Sequence, residues 1–386
     1  MRKFGLLLAA TASLLAPVGA SQASDAVAGP PPPEEVPIAL LIDATSGQVL
    51  FERNADRRFM PASITKVMTA FTAFELIDEG KLSPRQTFTM RPETFAQWHR
   101  KGSTMFLPQD ARVTVDELLM GIMNVSANDG AIVLAEGAAG SVEAWTALMN
   151  EKAREIGLRD SHFNTPNGWM DDGKTFVSAR DLARLARAMI TRHPQQYARY
   201  VGHPTFTYNG ITQSNHDPLI GKVPGADGIK TGFTNEAGMG YLGSVKRNGD
   251  RLIVVAAGAD RPRERNRAAT ELVEWGFSAF DHRMLYGRGT QVGTAKVQNG
   301  ASRRVGLRSI EQIHVSVPRG TNPDVSLRIH YDGPLKAPIK EGERVAELEL
   351  SVTGMPTSRI PLVASEAVEE AGFFSRIWNG IAGWVT

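Results

Sequence analysis

Residues 61–66 have the sequence Pro61-Ala62-Ser63-Ile64-Thr65-Lys66. After them the apolar side chains recur at helical spacing, at Val67, Phe71, Phe74 and Ile77. This spacing predicts a helix that begins near Ser63 and runs to about Glu79, where Gly80 can end it. Residues three apart lie on one face of a helix, so we expect the Ser63 hydroxyl and the Lys66 amine side by side.

This pair of side chains suits nucleophilic catalysis. A serine hydroxyl is a weak nucleophile until a base removes its proton, and a lysine can be that base once desolvation or a second cation lowers its pKa. The unpaired N–H groups at a helix start also favour negative charge that develops there. The S-x-x-K spacing alone leaves a structural alternative open, in which the serine caps the helix and the lysine is solvated.

Two further motifs follow in the chain, Ser126-Ala127-Asn128 and Lys230-Thr231-Gly232. The set S-x-x-K, S-x-N and K-T-G is typical of penicillin-binding proteins and serine β-lactamases. From Val36 to its C-terminus the chain resembles the low-molecular-weight penicillin-binding proteins, which are D-alanyl-D-alanine carboxypeptidases of the serine peptidase type. Two shorter stretches, 102–107 and 237–238, also match that family.

The resemblance implies a role for each motif residue. Ser63 would be the acylated nucleophile and Lys66 its general base, while Ser126 and Lys230 would relay a proton to the leaving D-alanine. The resemblance implies a substrate-binding set as well: Asn128 for the substrate amide, Thr231 for the terminal carboxylate, and the strand residues Gly232 and Phe233. The oxyanion hole would consist of the backbone N–H groups of Ser63 and Phe233.

The chain departs from the family pattern at two positions. Phe233 stands where relatives often carry histidine after K-T-G, and His216 follows Asn215 where some relatives have arginine. Because the oxyanion hole uses main chain, we expect activity to survive Phe233 with an altered rate or β-lactam preference. His216 leaves open which cation, besides Lys230, helps to bind the carboxylate.

Three functions compete at this stage. The first is removal of the terminal D-alanine from peptidoglycan stem peptides, with β-lactams as covalent inhibitors. The second is a serine β-lactamase, whose class A members need a glutamate-activated water; residues 164–167, Asn-Thr-Pro-Asn, contain no glutamate. The third is a catalytically weak penicillin-binding scaffold, which the three intact motifs disfavour.

The composition narrows the chemistry. The 386 residues are 42% hydrophobic and 22% charged, as in an ordinary soluble protein of more than one domain. The net charge of +2 gives no argument for a nucleic-acid partner. There is no cysteine, and the eight histidines show no ligand spacing, so we expect no metal and no cofactor.

The N-terminus has the pattern of a secretory signal. Met1-Arg2-Lys3 is followed by an apolar run over residues 4–15, too short to span a bilayer, and small residues lie before Ala20 and Ala23. We therefore predict a signal peptide over 1–23 and a stiff, proline-rich tether over 24–35. This pattern predicts export across the inner membrane to the periplasm.

The remaining patterns predict an α+β fold. Strands are expected at 38–42, 47–51, 227–234, 241–245 and 252–257, with a loop-to-strand segment at 102–106 and helices between the two groups. The helices begin near Thr114, Gly130, Val142, Ser178 and Glu264. The order predicts an antiparallel sheet flanked by helices over 36–282. Alternating apolar residues then predict a small all-β domain over 283–362.

The last segment, 363–386, is predicted to contain an amphipathic helix. Its apolar side chains fall within an arc of roughly 140° at about 100° per residue, and they are Phe373, Phe374, Ile377, Trp378, Ile381, Trp384 and Val385. The segment is too short to span a bilayer, so we expect it to lie in the membrane interface and hold the protein there. The alternative is a helix packed on a partner or on the β domain.

Overall fold

The computed structural model describes residues 36–371. The predicted signal peptide, the proline-rich tether and the apolar stretch from Phe373 onward lie outside these described residues. The part of the predicted terminal helix that is described, 363–371, belongs to the β domain instead. It finishes a strand at Ala364 and forms bridges at Val368 and Glu370.

The first domain has its main strands near its two ends, with most of its helices and four short strands between them. Its strands are β1 Ile38–Asp43, β2 Val49–Arg53, β3 Thr87–Thr89, β4 Arg112–Thr114, β5 Thr205–Tyr208, β6 Ile211–Ser214, β7 Ala226–Thr234, β8 Gly238–Arg247 and β9 Asp250–Ala259. Its helices are α1 Lys66–Asp78, α2 Pro92–Trp98, α3 Val115–Asn124, α4 Asn128–Ala139, α5 Val142–Glu155, α6 Ala179–Arg192, α7 Pro194–Tyr200 and α8 Pro262–Ala279.

Five of these strands form one antiparallel sheet in the order β2-β1-β9-β8-β7. One face packs on α8 through a core that includes Tyr241, Val254 and Leu272. The other face packs on the helices that lie between β2 and β7 in sequence. The predicted α+β class and the antiparallel sheet flanked by helices are confirmed, and β7 is an edge strand.

Residues 102–106 form a loop, so the loop-to-strand prediction there was wrong. The Asp129 carboxylate accepts hydrogen bonds from the N–H groups of Met105 at 3.0 Å and Leu107 at 3.1 Å. Phe106, between them, has a φ of 59°. These N–H groups donate to a side chain instead of to a neighbouring strand. The alternation of apolar and polar residues within the segment does not predict such a long-range contact.

The second domain consists of the strands β10 Phe280–Tyr286, β11 Gln291–Gln298, β12 Arg304–Arg308, β13 Ile313–Pro318, β14 Val325–His330, β15 Leu335–Lys336, β16 Arg344–Val352 and β17 Ser358–Ala364. Six form a sheet in the order β14-β16-β17-β12-β11-β15, and β10 pairs with β13. Ala346, Leu348 and Leu350 point into its core at every second residue, as the alternation predicts. β10 crosses the predicted boundary at 282/283.

A buried polar junction joins the two domains. Gln48, in the β1–β2 turn, exchanges two hydrogen bonds with the backbone of Ser316 in β13, at 2.6 and 3.1 Å. The Ser316 hydroxyl donates to Asp43 at 2.7 Å and lies 3.0 Å from the His282 ring. These hydrogen bonds therefore hold the second domain against the β1–β2 turn of the first domain.

Among the helices that the structure describes, none has the length and apolarity needed to cross a bilayer.

Candidate active site

The turn that carries Ser63 is tighter than the predicted helix start. Residues Ala62–Thr65 form a 3₁₀ turn, and the α-helix begins only at Lys66. In a 3₁₀ turn the side chains at i and i+3 eclipse. The predicted juxtaposition is accordingly close, with Lys66 Nζ 2.8 Å from Ser63 Oγ.

Two glycines let neighbouring segments approach this turn. A Cβ on Gly232 of β7 would lie 2.4 Å from the carbonyl oxygen of Pro61, and one on Gly168 would lie 1.8 Å from that of Ala62. Ala62 itself has a φ of 49°, a left-handed conformation that alanine rarely adopts. The surrounding contacts therefore hold the nucleophile turn in a conformation that costs free energy.

Lys66 is fully buried, and all three of its ammonium hydrogens have acceptors. Its Nζ lies 2.8 Å from each of Ser63 Oγ, Asn128 Oδ1 and the carbonyl oxygen of Asn167. The last two oxygens can only accept. When Lys66 loses a proton, its two remaining hydrogens are needed by Asn128 and Asn167, so its lone pair faces the Ser63 hydroxyl.

The Asn128 amide is oriented by a second contact. Its Nδ2 donates to the carbonyl oxygen of Lys101 at 2.9 Å, which leaves Oδ1 to accept from Lys66. Asn128 is 4% exposed. The structure thus places Asn128 beside Lys66, where both ends of its amide are already bonded within the protein.

Burial lowers the pKa of Lys66 well below its ordinary value, and the positive charge of Lys230 lowers it further. The Asp129 carboxylate acts in the opposite direction. A lysine with such a depressed pKa can be a base near neutral pH.

Ser126 lies between α3 and α4, as expected from the end of the helix that Thr114 and Glu117 cap. It has a φ of 62°, is nearly buried and lines the cleft. The described structure contains no hydrogen bond from the Ser126 hydroxyl to Lys66 or Lys230. The relay implied by the resemblance is therefore not closed in this structure.

Lys230 enters from β7 and is 3% exposed. Its Nζ donates to the carbonyl oxygen of Thr231 at 3.2 Å. Burial lowers its pKa to about 7; Asp217 opposes this shift and Arg265 adds to it. The pKa of Lys230 thus lies well below that of an exposed lysine.

These residues line a cleft of about 380 Å³. Its walls include Ser63, Ser126, Asn128, Thr231, Gly232 and Phe233. Phe233 is 53% exposed, as expected for a side chain at the cleft mouth. None of the described residues that line the cleft is aspartate or glutamate. Among the described lining residues Arg265 carries a fixed positive charge, which favours an anionic ligand.

Arg265 of α8 is a cleft residue that the sequence analysis missed. It is buried, donates to Asn266 Oδ1 at 2.7 and 3.0 Å, and lies 3.5 Å from the Gly240 carbonyl oxygen. A signal was present in the sequence. Arg265 occupies the helix face of Ala268, Ala269 and Leu272, where a charged residue interrupts the apolar stripe.

His216 also lines the cleft, and burial together with Lys230, Lys66 and Arg265 lowers its pKa. The backbone carbonyl of Asn167 was missed as well, because a main-chain acceptor leaves no residue-type signal. Near the mouth, Lys101 Nζ lies 4.9 Å from the Trp98 ring and 5.0 Å from that of Trp169. This cation–π contact orders the rim beside Gly102.

Asp181, in the first turn of α6, is not among the residues that line the cleft. The Ser178 hydroxyl does cap α6 by accepting from the Asp181 N–H at 3.2 Å. The Asp181 carboxylate does not complete the capping box. It accepts instead from the Asp160 N–H, the Ser161 hydroxyl and Arg184.

Comparison with known proteins matches both domains. Residues 28–261 match a family profile described as D-alanyl-D-alanine carboxypeptidase. Residues 280–370 match one described as penicillin-binding protein 5, C-terminal domain. The first profile ends just before α8, and the second begins at Phe280, the first residue of β10.

Whole-chain relatives agree with these profiles. The chain is 33% identical over 356 residues to D-alanyl-D-alanine carboxypeptidase DacF of Bacillus subtilis, covering 91% of this chain and 90% of that one. It is 34% identical over 354 residues to DacD of Escherichia coli, covering 90% and 91%. The crystal structure of penicillin-binding protein 5 from Haemophilus influenzae superimposes with a TM-score of 0.72 at 29% identity, covering 87% of this chain and 98% of that one.

Proposed function

The chain belongs to the D-alanyl-D-alanine carboxypeptidase family, and from that premise we propose that it removes the terminal D-alanine from peptidoglycan stem peptides through an acyl-enzyme on Ser63. The observation that supports this most directly is the arrangement around Lys66. A buried amine, held by two acceptors that cannot donate, directs its lone pair at the Ser63 hydroxyl.

The reaction begins with proton transfer. Neutral Lys66 takes the Ser63 proton as the oxygen attacks the carbonyl carbon of the penultimate residue. The carbonyl oxygen becomes negative and is stabilised by the N–H groups of Ser63 and Phe233. The C–N bond then breaks, and the departing D-alanine nitrogen gains a proton through Ser126, which closes toward the lysines once substrate is bound. Water hydrolyses the ester in a second cycle of the same groups.

The other end of the cleft receives the substrate carboxylate. Lys230 supplies a positive charge and Thr231 a hydroxyl, and Arg265 is the second cation that the sequence left open. Arg265 is held by Asn266 on one side, which leaves part of its fork-shaped guanidinium for the cleft. Asn128 hydrogen-bonds to Lys66 and to the Lys101 carbonyl oxygen in the free protein. To contact the substrate amide, its side chain must give up one of these two hydrogen bonds.

The experiment that tests the function measures free D-alanine released from a peptide ending in D-Ala-D-Ala. We expect release by the wild type and none by Ser63→Ala. Intact mass after penicillin treatment should show one added drug mass, again absent in Ser63→Ala. An adduct on Ser126 or Ser103 would contradict the assignment of the nucleophile.

The same experiment separates the alternatives. A β-lactamase would lose the penicillin adduct quickly and release the hydrolysed drug in many turnovers. The described residues that line the cleft include no carboxylate to activate that water, so we expect a long-lived adduct. A weak scaffold would form the adduct but release no D-alanine.

We also propose that the protein acts outside the inner membrane and is held to its surface by residues 373–386. The signal-like N-terminus and the apolar arc of the last segment support this. The enzyme would then be close to newly made stem peptides.

A further inference from the structure

Asp217 is a buried carboxylate that the mechanism above does not use. It follows β6, next to His216. Its Oδ1 accepts from the N–H groups of Leu219 at 2.8 Å and Ile220 at 3.2 Å. The Tyr241 hydroxyl lies 3.1 Å from each of its oxygens. Burial raises the pKa of Asp217, and these donated hydrogen bonds, together with the charge of Lys230, oppose that rise.

The Asp217 carboxylate lies beneath the strand that carries Lys230. Tyr241 of β8 is paired with Thr231 of β7, and its hydroxyl also lies 3.1 Å from the Gly228 carbonyl oxygen. One hydroxyl thus links Asp217 to the β7 backbone two residues before Lys230. No arginine, lysine or histidine of residues 36–371 forms an ion pair with Asp217 within 4.0 Å, so its charge acts on its surroundings through space.

Those surroundings are strongly cationic. Lys230 is faced by Lys66 from α1, Arg265 from α8 and His216 from the loop before β7. Asp129 of α4 and Asp217 are the carboxylates in the same region, and each acts on one lysine. Asp129 raises the pKa of Lys66, and Asp217 raises that of Lys230. Burying cations together without a counter-charge costs a large free energy.

We propose that Asp217 is a positioning residue that keeps Lys230 protonated, and that it thereby sets the highest pH at which the cleft binds a carboxylate-bearing substrate or a β-lactam. This inference rests on the proposed function, in which Lys230 contacts the substrate carboxylate. It gives the loop after β6 a role in the reaction, although Asp217 itself touches neither substrate nor the reacting atoms.

The direction of the effect follows from the charges. Acylation needs neutral Lys66 and protonated Lys230, so its rate rises with pH through the Lys66 titration and falls through that of Lys230. With Asp217 present, the pKa of Lys230 is about 7. Removing the negative charge makes Lys230 lose its proton at lower pH. The descending side of the pH profile should move to lower pH, and the ascending side should stay where it is.

The test is the pH profile of kinact/KI for benzylpenicillin in Asp217→Asn. This variant keeps both loop hydrogen bonds on Oδ1, and Tyr241 can still donate to Gly228, so only the charge is lost. We expect the descending limb to move down by roughly one pH unit, as for loss of one neighbouring charge. Lys230→Arg should remove this limb, because a guanidinium stays protonated.

Tyr241→Phe is the matched control, because it removes the hydroxyl and keeps the Asp217 charge. We expect its descending limb within a few tenths of a pH unit of the wild type. Equal, pH-independent losses in Asp217→Asn and Tyr241→Phe would show a structural role and overturn the proposal, as would an unmoved limb in Asp217→Asn. If Asp217→Asn does not fold, Asp217→Ser removes the same charge and its hydroxyl can accept from Leu219. A wild type that forms no adduct would overturn the proposed function instead.

Discussion

Lys66 and Lys230 are both buried lysines at one cleft, yet their contacts suit them to different tasks. Lys66 has three oxygen partners at 2.8 Å, which fix the direction of its lone pair. Lys230 has one backbone partner at 3.2 Å and lies buried next to Thr231, which lines the cleft together with Arg265. Position decides the role of each, although the residue type is the same.

We predict that Lys66→Arg abolishes acylation, since an arginine stays protonated and cannot act as the base. Lys230→Arg should keep part of the activity, because a fixed positive charge is what that position supplies. Acylation by penicillin, followed by intact mass over time, measures both variants. Wild-type rates in both would contradict the division of roles.

A second prediction concerns Arg265. Arg265→Gln should raise KM for a D-Ala-D-Ala peptide more than it lowers kcat, with a loss of about 1.5–3 kcal/mol for a charged hydrogen bond. Arg263→Gln, an exposed arginine on the same helix, is the matched control and should behave as wild type. A peptide whose terminal carboxylate is replaced by an amide should bind equally poorly to both variants. A preserved difference between the variants on that amide would exclude the carboxylate contact.

Among individual residues, the sequence predicted the motif side chains of the site but not the other groups that surround them. Ser63 and Lys66 are three apart on one turn, so local geometry was enough. Arg265 reaches the cleft only through the packing of α8, and Asp217 lies near Lys230 only through its packing against β8. Asn167 contributes a backbone oxygen. Tertiary contacts of this kind leave weak local signals at best.

Among the elements, the contact between β7 and the nucleophile turn controls the site. Gly232 makes this contact possible, because any side chain there would meet the Pro61 carbonyl oxygen. The predicted strand and helix were both present. Their spacing, and the 3₁₀ form of the turn, follow from packing and could not be derived from periodicity.

Gly232→Ala tests this contact. The added methyl should push the turn away from β7 and lower kinact/KI by about 10²-fold, as expected for a displacement near 1 Å. Overpacking should also cost roughly 1–3 kcal/mol of folding free energy. Gly287→Ala is the matched control, since its Cβ would meet only Thr290 Oγ1 at 3.5 Å. A normal acylation rate in Gly232→Ala would show that the turn tolerates the shift.

In the whole molecule, the polar junction between the domains links folding stability to pH. Burial alone would raise the pKa of Asp43, but the His282 ring, 3.6 Å away, and the hydrogen bond from Ser316 lower it to about 2. Burial lowers the pKa of His282, and the nearby Asp43 carboxylate outweighs that and raises it. Asp43 thus stays ionised over the range in which His282 titrates.

The pH dependence has a definite sign. Because the folded pKa of His282 is raised, its stabilisation is fully present below the unfolded value of roughly 6.5 and is lost as pH rises through the folded value. The melting temperature of the wild type should therefore exceed that of His282→Gln by more at a pH about one unit below the folded pKa of His282 than at a pH about two units above it. Calorimetry of the full chain measures this, and a constant difference would contradict it.

The terminal segment gives the last prediction. Glu370 bridges to Gly300, and the Ala371 N–H donates to the Asn299 carbonyl oxygen at 2.8 Å, so the β domain holds the chain up to this point. Removing 373–386 should release the protein from vesicles and leave hydrolysis of a soluble peptide unchanged. A truncated protein that still pelleted would show another anchor. One that lost hydrolysis would show that the segment packs on the fold.

The position of β7 at the end of its sheet has a further consequence. A strand with free N–H and C=O groups is a template for any extended chain, including a strand of another copy of the same protein. Here the nucleophile turn packs on the face of the sheet beside that edge, where a Cβ on Gly232 would lie 2.4 Å from the Pro61 carbonyl oxygen. An extended peptide that paired with β7 would therefore run alongside the turn that carries Ser63, and the pairing would align its backbone with the nucleophile.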